Sequence, residues 1–600
     1  GINVTAGITT VQALQATTVN NLNIDQGANS VATNTAIGLN ALDANTTGSN
    51  NTAVGRNALT DVTTGDKNSS VGSEALANVT TGTKNEALGY AALNALTTGN
   101  NNIAIGNESL LAVTTASGNT AVGRRSLRVN TASNNTAFGQ DALLANTSGD
   151  GNTSVGSFSL QTNITGINNT AVGSLALRDN TGNHNTAVGE EALKENTTGA
   201  QNVAIGRNAL RANTTASGNT AVGDNALLVN VTGTKNTAIG YACLDANTGN
   251  NNSGVGYGAL SANTTGQQNI AFGVDSLGAN TTGDYNTAIG ANALYTNTTG
   301  TENTAIGRAA LFACVGNNNT AVGDLALYSS TTGSENTAVG DNALASNTTG
   351  SYNVAIGRAT LDANTTGQLN VAVGMHALGG NTTASNNTAV GHDALKANST
   401  GSQNTAVGTY SLDNNTTASY NTGLGYNALG ANTTGTSNTA VGNAALDACT
   451  TGSRNTAVGQ GALTNSTADE NCAFGDNCLL SNTTGTANCA FGHDAMEQNT
   501  TANNNSAFGH QAMKATTTGA NNCAFGMNAL YANQTGTENV AIGRGALSSL
   551  TTNDGNVAIG RNSLTSLTNG SANTALGNKT LEDNTAEHNT ALGYHCLLQN

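Results

Sequence analysis

Along most of the chain, apolar and polar positions return in one fixed unit. A representative copy, N-T-A-V-G-x-x-A-L-x-x-N-T-T-G-x-x, recurs every 16 or 17 residues from Asn34 onward, in about 34 copies. A period of this length marks a repeat architecture and is read before any other feature. The first Asn and the motif Gly recur in every copy. Leu follows four residues after the Gly, replaced only by Met496 and Met513. The residue before the Gly is always apolar, as in Val54, Ile205, Leu88 and Phe272. Two residues before the Gly stands Thr, or a substitute such as Val203, Ile270 or Cys472.

Those two positions lie two apart and share one face of a strand. Their β-branched character predicts an inward row. The residue between them is Ala, with Ser70, Ser154, Gly254 and Gly423 as exceptions. A position held so small is expected to press against a second surface, so both strand faces should be covered. No run keeps a 3.6-residue period long enough for a helix. Two short strands per repeat are predicted instead, one over N-T-A-V and one around A-L-x-x-N, with the Gly at a tight turn. The fold class is therefore all-β, a parallel β-solenoid of about 34 coils.

Like residues should then stack in ladders. The expected ladder residues are Asn34, Ile37, Gly38 and Leu42, then Asn51, Val54, Gly55 and Leu59, and further along Asn202, Ile205, Gly206 and Leu210. The shorter copies end at Gly139, Gly189, Gly256, Gly323, Gly475 and Gly593. Each lacks a residue between the Leu and the next Asn, as in Arg178 to His184. Length variation confined to one place predicts that N-T-T-G is an outward loop.

Residues 1–33 lack the motif. Ile8 to Leu14 and Thr17 to Leu22 have strand character and are expected to form an N-terminal cap or adapter, with 34–600 as one array. The chain starts at Gly1 and stops at Asn600 within a repeat, as a segment of a longer protein would.

Composition narrows the picture. Proline is absent, which suits a backbone committed to ladder bonds. Aromatics are 3% of residues and tryptophan is missing, so no conventional globular core is on offer. A thin coil of 17 residues gains from lateral association. With the alanine face, this favours a side-by-side homotrimer. The net charge of −16 is thinly spread over a chain with 9% charged residues. No basic stripe suggests nucleic acid, and no apolar run is long enough for a membrane helix.

The candidate chemistry is sparse. Eight cysteines form no C-x-x-C pair, and they are expected to be buried free thiols in the Thr position. In the variant Cys472-Ala473-Phe474, Cys489-Ala490-Phe491, Ser506-Ala507-Phe508 and Cys523-Ala524-Phe525, a larger ring beside a smaller partner reads as volume exchange in one packed layer. His493 and His510 recur at one position without a third ligand, and exposed histidines explain them. Asn-Thr-Thr at Asn45, Asn196 and Asn213 has the form of a glycosylation sequon, but loop-entry Asn accounts for it. No catalytic triad, paired carboxylate, phosphate loop or cofactor motif recurs, so neither an enzyme nor a cofactor is expected.

The stretch Asn202-Val203-Ala204-Ile205-Gly206, echoed at Asn353 to Gly357, Asn539 to Gly543 and Asn556 to Gly560, resembles the head repeats of YadA-like trimeric autotransporter adhesins. That resemblance implies a parallel β-roll with three chains side by side. The repeat here is longer, with the extra residues in N-T-T-G, and no helical stalk or membrane anchor is visible. The longer N-T-A-V-G…A-L…N-T-T-G unit also resembles repeat arrays of phage tail-fibre proteins. The expectation is a structural shaft of a virion or extracellular fibre involved in host attachment, at the virion tail or the cell surface. Its partners would be other copies of itself and a host-surface glycan or receptor. A bacterial surface adhesin or extracellular filament is the alternative. An ice-binding solenoid is a weaker rival, because the adjacent Thr46-Thr47 pair interrupts any regular threonine face.

Overall fold

The computed structural model describes residues 17–19 and 22–597. The expected strand at Ile8 to Leu14 lies outside the described residues. The chain divides into two compact units, Gly1–Asn292 with Thr296–Thr299, and Ala293–Tyr295 with Gly300–Asn600. Both are all-β parallel solenoids, together about 33 turns, and among the described residues the one helical element is a short 3-10 turn at Ala28–Ser30.

In the first unit, β1 (Thr17–Val19) and β2 (Leu22–Asp25) form an antiparallel hairpin. Strand β2 then pairs antiparallel with β3 (Thr35–Ile37), the first repeat strand. The remaining repeat strands of this unit, through β18 (Thr287–Ile289), pair in parallel, each with the equivalent residue one coil on: Thr35↔Thr52, Ala36↔Ala53, Ile37↔Val54. An unpaired edge strand is a template for aggregation, and the hairpin covers this one. The second unit repeats the parallel pattern from β19 (Thr304–Ile306) to β36 (Thr590–Leu592).

Each coil bonds to the next along several segments. Thr52 N–H donates to Asn68 O at 2.9 Å, Leu59 N–H to Ala75 O at 3.1 Å, and Thr63 N–H to Thr80 O at 2.9 Å. Backbone donors on all sides of the coil are thus committed, which is why proline has no place here.

Only N-T-A-V forms a strand; the second strand expected around A-L-x-x-N is a turn. The reason is a run of left-handed residues. In one coil φ is 140° at Gly55, 54° at Asn57 and 50° at Leu59. Such backbone curls rather than extends. A left-handed leucine costs about 1–2 kcal/mol. Burying its side chain completely contributes about 1.5–3 kcal/mol, and Leu59 is fully buried. The packing outweighs the strain, and the same solution recurs at Leu42 and Leu210.

The motif glycine is required twice over. A Cβ on Gly55 would lie 2.4 Å from the Gly72 carbonyl oxygen, and its φ disfavours any L side chain. Gly38 and Gly206 meet the same wall at Gly55 and Gly223.

The facing of the strand is the reverse of the sequence expectation. Ala36, Ala53, Ala87 and Ala104 are buried inside their own solenoid, while the Thr and Val positions face out. Period-two alternation allows either assignment, and choosing the wrong one flips every side chain. The small residue is small because the coil interior is narrow. Where the neighbouring inward position carries Cys243 or Ser411 instead of Ala, the residue opposite shrinks to glycine. A Cβ on Gly254 would come 2.6 Å from Cys243 Sγ, and one on Gly423 2.5 Å from Ser411 Oγ. The alanine row is therefore an intrachain packing layer and not a surface shared between chains.

The rest of the interior is Leu and two asparagine columns. Asn51 N–H donates to Asn34 Oδ1 at 2.9 Å, and Asn51 Nδ2 donates to Gly65 O at 2.8 Å. Asn202 repeats both bonds, to Asn185 Oδ1 and Ala216 O. The second column belongs to N-T-T-G, which is only half an outward loop. Thr46 and Thr47 are exposed, but Asn45 is buried and donates to Gly48 O at 3.1 Å. Val62 and Leu96 fill the same inward position in other coils. Buried amides at Asn45, Asn196 and Asn213 leave no acceptor nitrogen for glycosylation in the folded chain. A 16-residue coil drops one threonine between Asn180 and Gly182, and the register Thr170↔Thr186 is kept.

Candidate functional site

With alanine inside, the outer strand face carries the Thr and Val positions of every coil. Two columns result, spaced by one strand separation, about 4.8 Å. In the first unit the apolar column includes Val71, Leu88, Ile105, Phe138 and Phe272, exposed by 40%, 49%, 40%, 42% and 57%. In the second it includes Ile306, Ile356, Leu424, Phe525 and Ile542. Across all repeat strands, Glu86 is the only charged residue at either outward position.

That uniformity is informative. A position facing water drifts toward Lys, Glu and Asn, yet the column before the glycine is Val, Ile, Leu or Phe in every coil. Single exposed hydrophobes are ordinary, whereas a contiguous exposed apolar patch marks an interaction surface. Ile37, Val54 and Ile205, expected as inward ladder residues, belong to this outer column. Their ladder pairing stands; their direction is outward.

The four-coil variant sharpens the surface. Phe474, Phe491, Phe508 and Phe525 stack with ring centroids 4.5, 4.8 and 4.5 Å apart and near-parallel planes. They are an outer aromatic column and not a volume exchange within the core. Beside them Cys472, Cys489 and Cys523 also face outward and are half-buried, so cysteine in the Thr position is not an interior thiol. The buried cysteines occupy other positions. Cys243 and Cys478 replace the inward alanine before Leu, and Cys314 and Cys449 replace the loop asparagine.

Charged side chains decorate the turn after the glycine and pair from coil to coil. Arg207–Asp224 and Arg308–Asp324 close at 2.9 and 2.7 Å, and Arg125 makes a two-pronged contact with Asp141 at 2.8 Å. The Arg207–Asp224 and Arg308–Asp324 pairs lie open to solvent and are screened by it, whereas Asp141 is buried beneath Arg125. His493 and His510 stack at 5.4 Å, with Asp494 3.4 Å and Asp476 3.8 Å from His493. Among the described residues no group of three His, Cys, Asp or Glu is arranged to hold a metal ion. Nor is any helix there long and apolar enough to cross a membrane.

In scattered coils an aspartate follows the Leu: Asp245 in the first unit and Asp362, Asp413 and Asp447 in the second. Burial pushes each carboxyl above its ordinary range, against hydrogen bonds that lower it. Neither a protein-family model nor a curated protein matches this sequence.

Proposed function

We propose that this chain is one strand of a homotrimeric fibre shaft, virion or extracellular, that holds a host-attachment end away from its base. The observation that carries the reading is the outward apolar column present in every coil of each unit, with one charge among all its outward neighbours. Its partner is a second and third copy of the chain. A copy presents the same column at the same axial spacing, so contacts made in one coil repeat in every coil. A globular partner would match a few coils and leave the rest wet. The chemistry fits a structural role. The interior is filled by ladders of Asn, Ala and Leu, a packing that repeats from coil to coil. Attachment to a host glycan or receptor would then draw on multivalency, many weak contacts presented along an array.

The proposal is tested by placing charge in the column. Lysine at Val339, Ile356 and Val390 together should reduce the solution mass toward that of one chain while leaving the β circular-dichroism signal intact. If the substituted protein keeps the oligomeric mass of the unsubstituted one, the column is not the interface.

A further inference from the structure

Two of the outward cysteines are direct ladder partners. Cys472 pairs in register with Cys489 on the next parallel strand, and both are half-buried on the outer face. Register neighbours on parallel strands stand about 4.8 Å apart. Disulfides span Cα separations of about 4.4–6.8 Å. The two side chains leave the same face in the same direction, so closure draws their Cβ atoms together from about 4.8 Å to the separation of about 3.5–4.5 Å that a disulfide spans. No other cysteine shares this placement. Cys523 lies two coils beyond Cys489 with Ser506 between them. Cys478 points inward and donates to the Ala490 carbonyl at 3.3 Å.

We propose that Cys472 and Cys489 form a vicinal dithiol that closes to an intrachain disulfide between consecutive coils. The oxidant is a low-molecular-weight disulfide such as oxidised glutathione. One cysteine thiolate attacks it, forms a mixed disulfide and releases one glutathione thiolate. The second cysteine, deprotonated, displaces the other glutathione and completes the Cys472–Cys489 bond. Two protein S–H bonds and one oxidant S–S bond become one protein S–S bond and two glutathione S–H bonds. Two electrons pass to the oxidant. Burial, and then the neighbouring Cys489 thiol, push Cys472 up to about 11. The exchange is therefore slow at neutral pH and accelerates as the solution becomes alkaline. Closure needs only one chain and does not rest on the trimer.

The test is to fold the full chain in a glutathione redox buffer at about pH 8.5, near the ordinary thiol value. Free thiols are then alkylated and the digest is mapped by mass spectrometry, beside a sample kept reduced. The expected result is a Cys472–Cys489 linked peptide that disappears on reduction. Cys523 should be alkylated or carry glutathione and never be linked to Cys489. In Cys489→Ser the partner is lost, and Cys472 should stop at the glutathione mixed disulfide. The proposal is overturned if Cys472 and Cys489 are both alkylated. It is equally overturned if both stop at mixed disulfides, or if the link joins two chains and survives as a dimer band on a non-reducing denaturing gel.

Discussion

Asn68 N–H donates to the side-chain oxygen of Asn51 at 2.9 Å, one coil back in the buried interior. The Asn68 amide in turn donates to Gly82 O at 2.9 Å and accepts from Asn85 N–H at 3.0 Å. Through its backbone N–H and its side-chain amide, Asn68 therefore joins three consecutive coils. Aspartate could accept but not donate, and serine is too short to reach both partners, which accounts for an asparagine that no coil replaces.

Asn68→Ala is expected to leave the Gly82 carbonyl and the Asn85 amide buried without these partners, at a cost of about 1–3 kcal/mol each. Because coils interact with their neighbours, the damage should be local. Hydrogen exchange should accelerate for amides from about residue 51 to 102 and remain unchanged beyond residue 200. Uniform acceleration would contradict a nearest-neighbour ladder.

The two glycine columns should respond differently to alanine. Gly340 has φ 134°, and a Cβ there would lie 2.4 Å from the Gly357 carbonyl oxygen. Gly350 would also bring a Cβ against the Gly367 carbonyl oxygen and the Asn347 side chain, but it has no positive φ, and other coils carry Ala384 or Ala418 at its position. Gly340→Ala should therefore lower the urea midpoint more than Gly350→Ala, because only the first adds a forbidden φ to the clash. Equal effects would mean that backbone conformation does not set the invariance of the motif glycine.

Asp413 gives a pH signature. Burial raises its carboxyl above the ordinary value, so the folded state favours the protonated form. Its contribution to stability is fully present below the unfolded pKa of about 3.9 and is lost as pH rises through the folded pKa. Asp413→Asn should therefore resist urea better than the parent at neutral pH, and the advantage should vanish near about pH 3. A gain that persists unchanged in acid would point to a cause other than ionisation.

Much of the solenoid was legible because each position is sampled about 34 times within one chain. The period, the parallel stacking and the Leu column follow from that sampling. Two features were misread for identifiable reasons. Leu59 looks like a strand residue because leucine avoids positive φ, and only its complete burial explains the turn it occupies. Alternation along Thr52-Ala53-Val54 is symmetric in sequence, and β-branched residues face inward in larger cores, where the interior is wide enough to hold them. The pairing of Cys243 with Gly254, and of Ser411 with Gly423, points the other way, but Cys478 and Ser563 face alanines at the same place and blur the signal. Those size exchanges, 11 and 12 residues apart, place the small residue inside its own chain. The outer apolar column was thus visible as a pattern, but its direction was not.

The most direct measurement is solution mass by light scattering coupled to size exclusion. One chain has a mass of 59.5 kDa. The proposal predicts about three times that value, constant across the elution peak and reduced by lysines in the apolar column. A constant single-chain mass at working concentration would contradict it and leave the Val and Ile column facing water in an isolated solenoid.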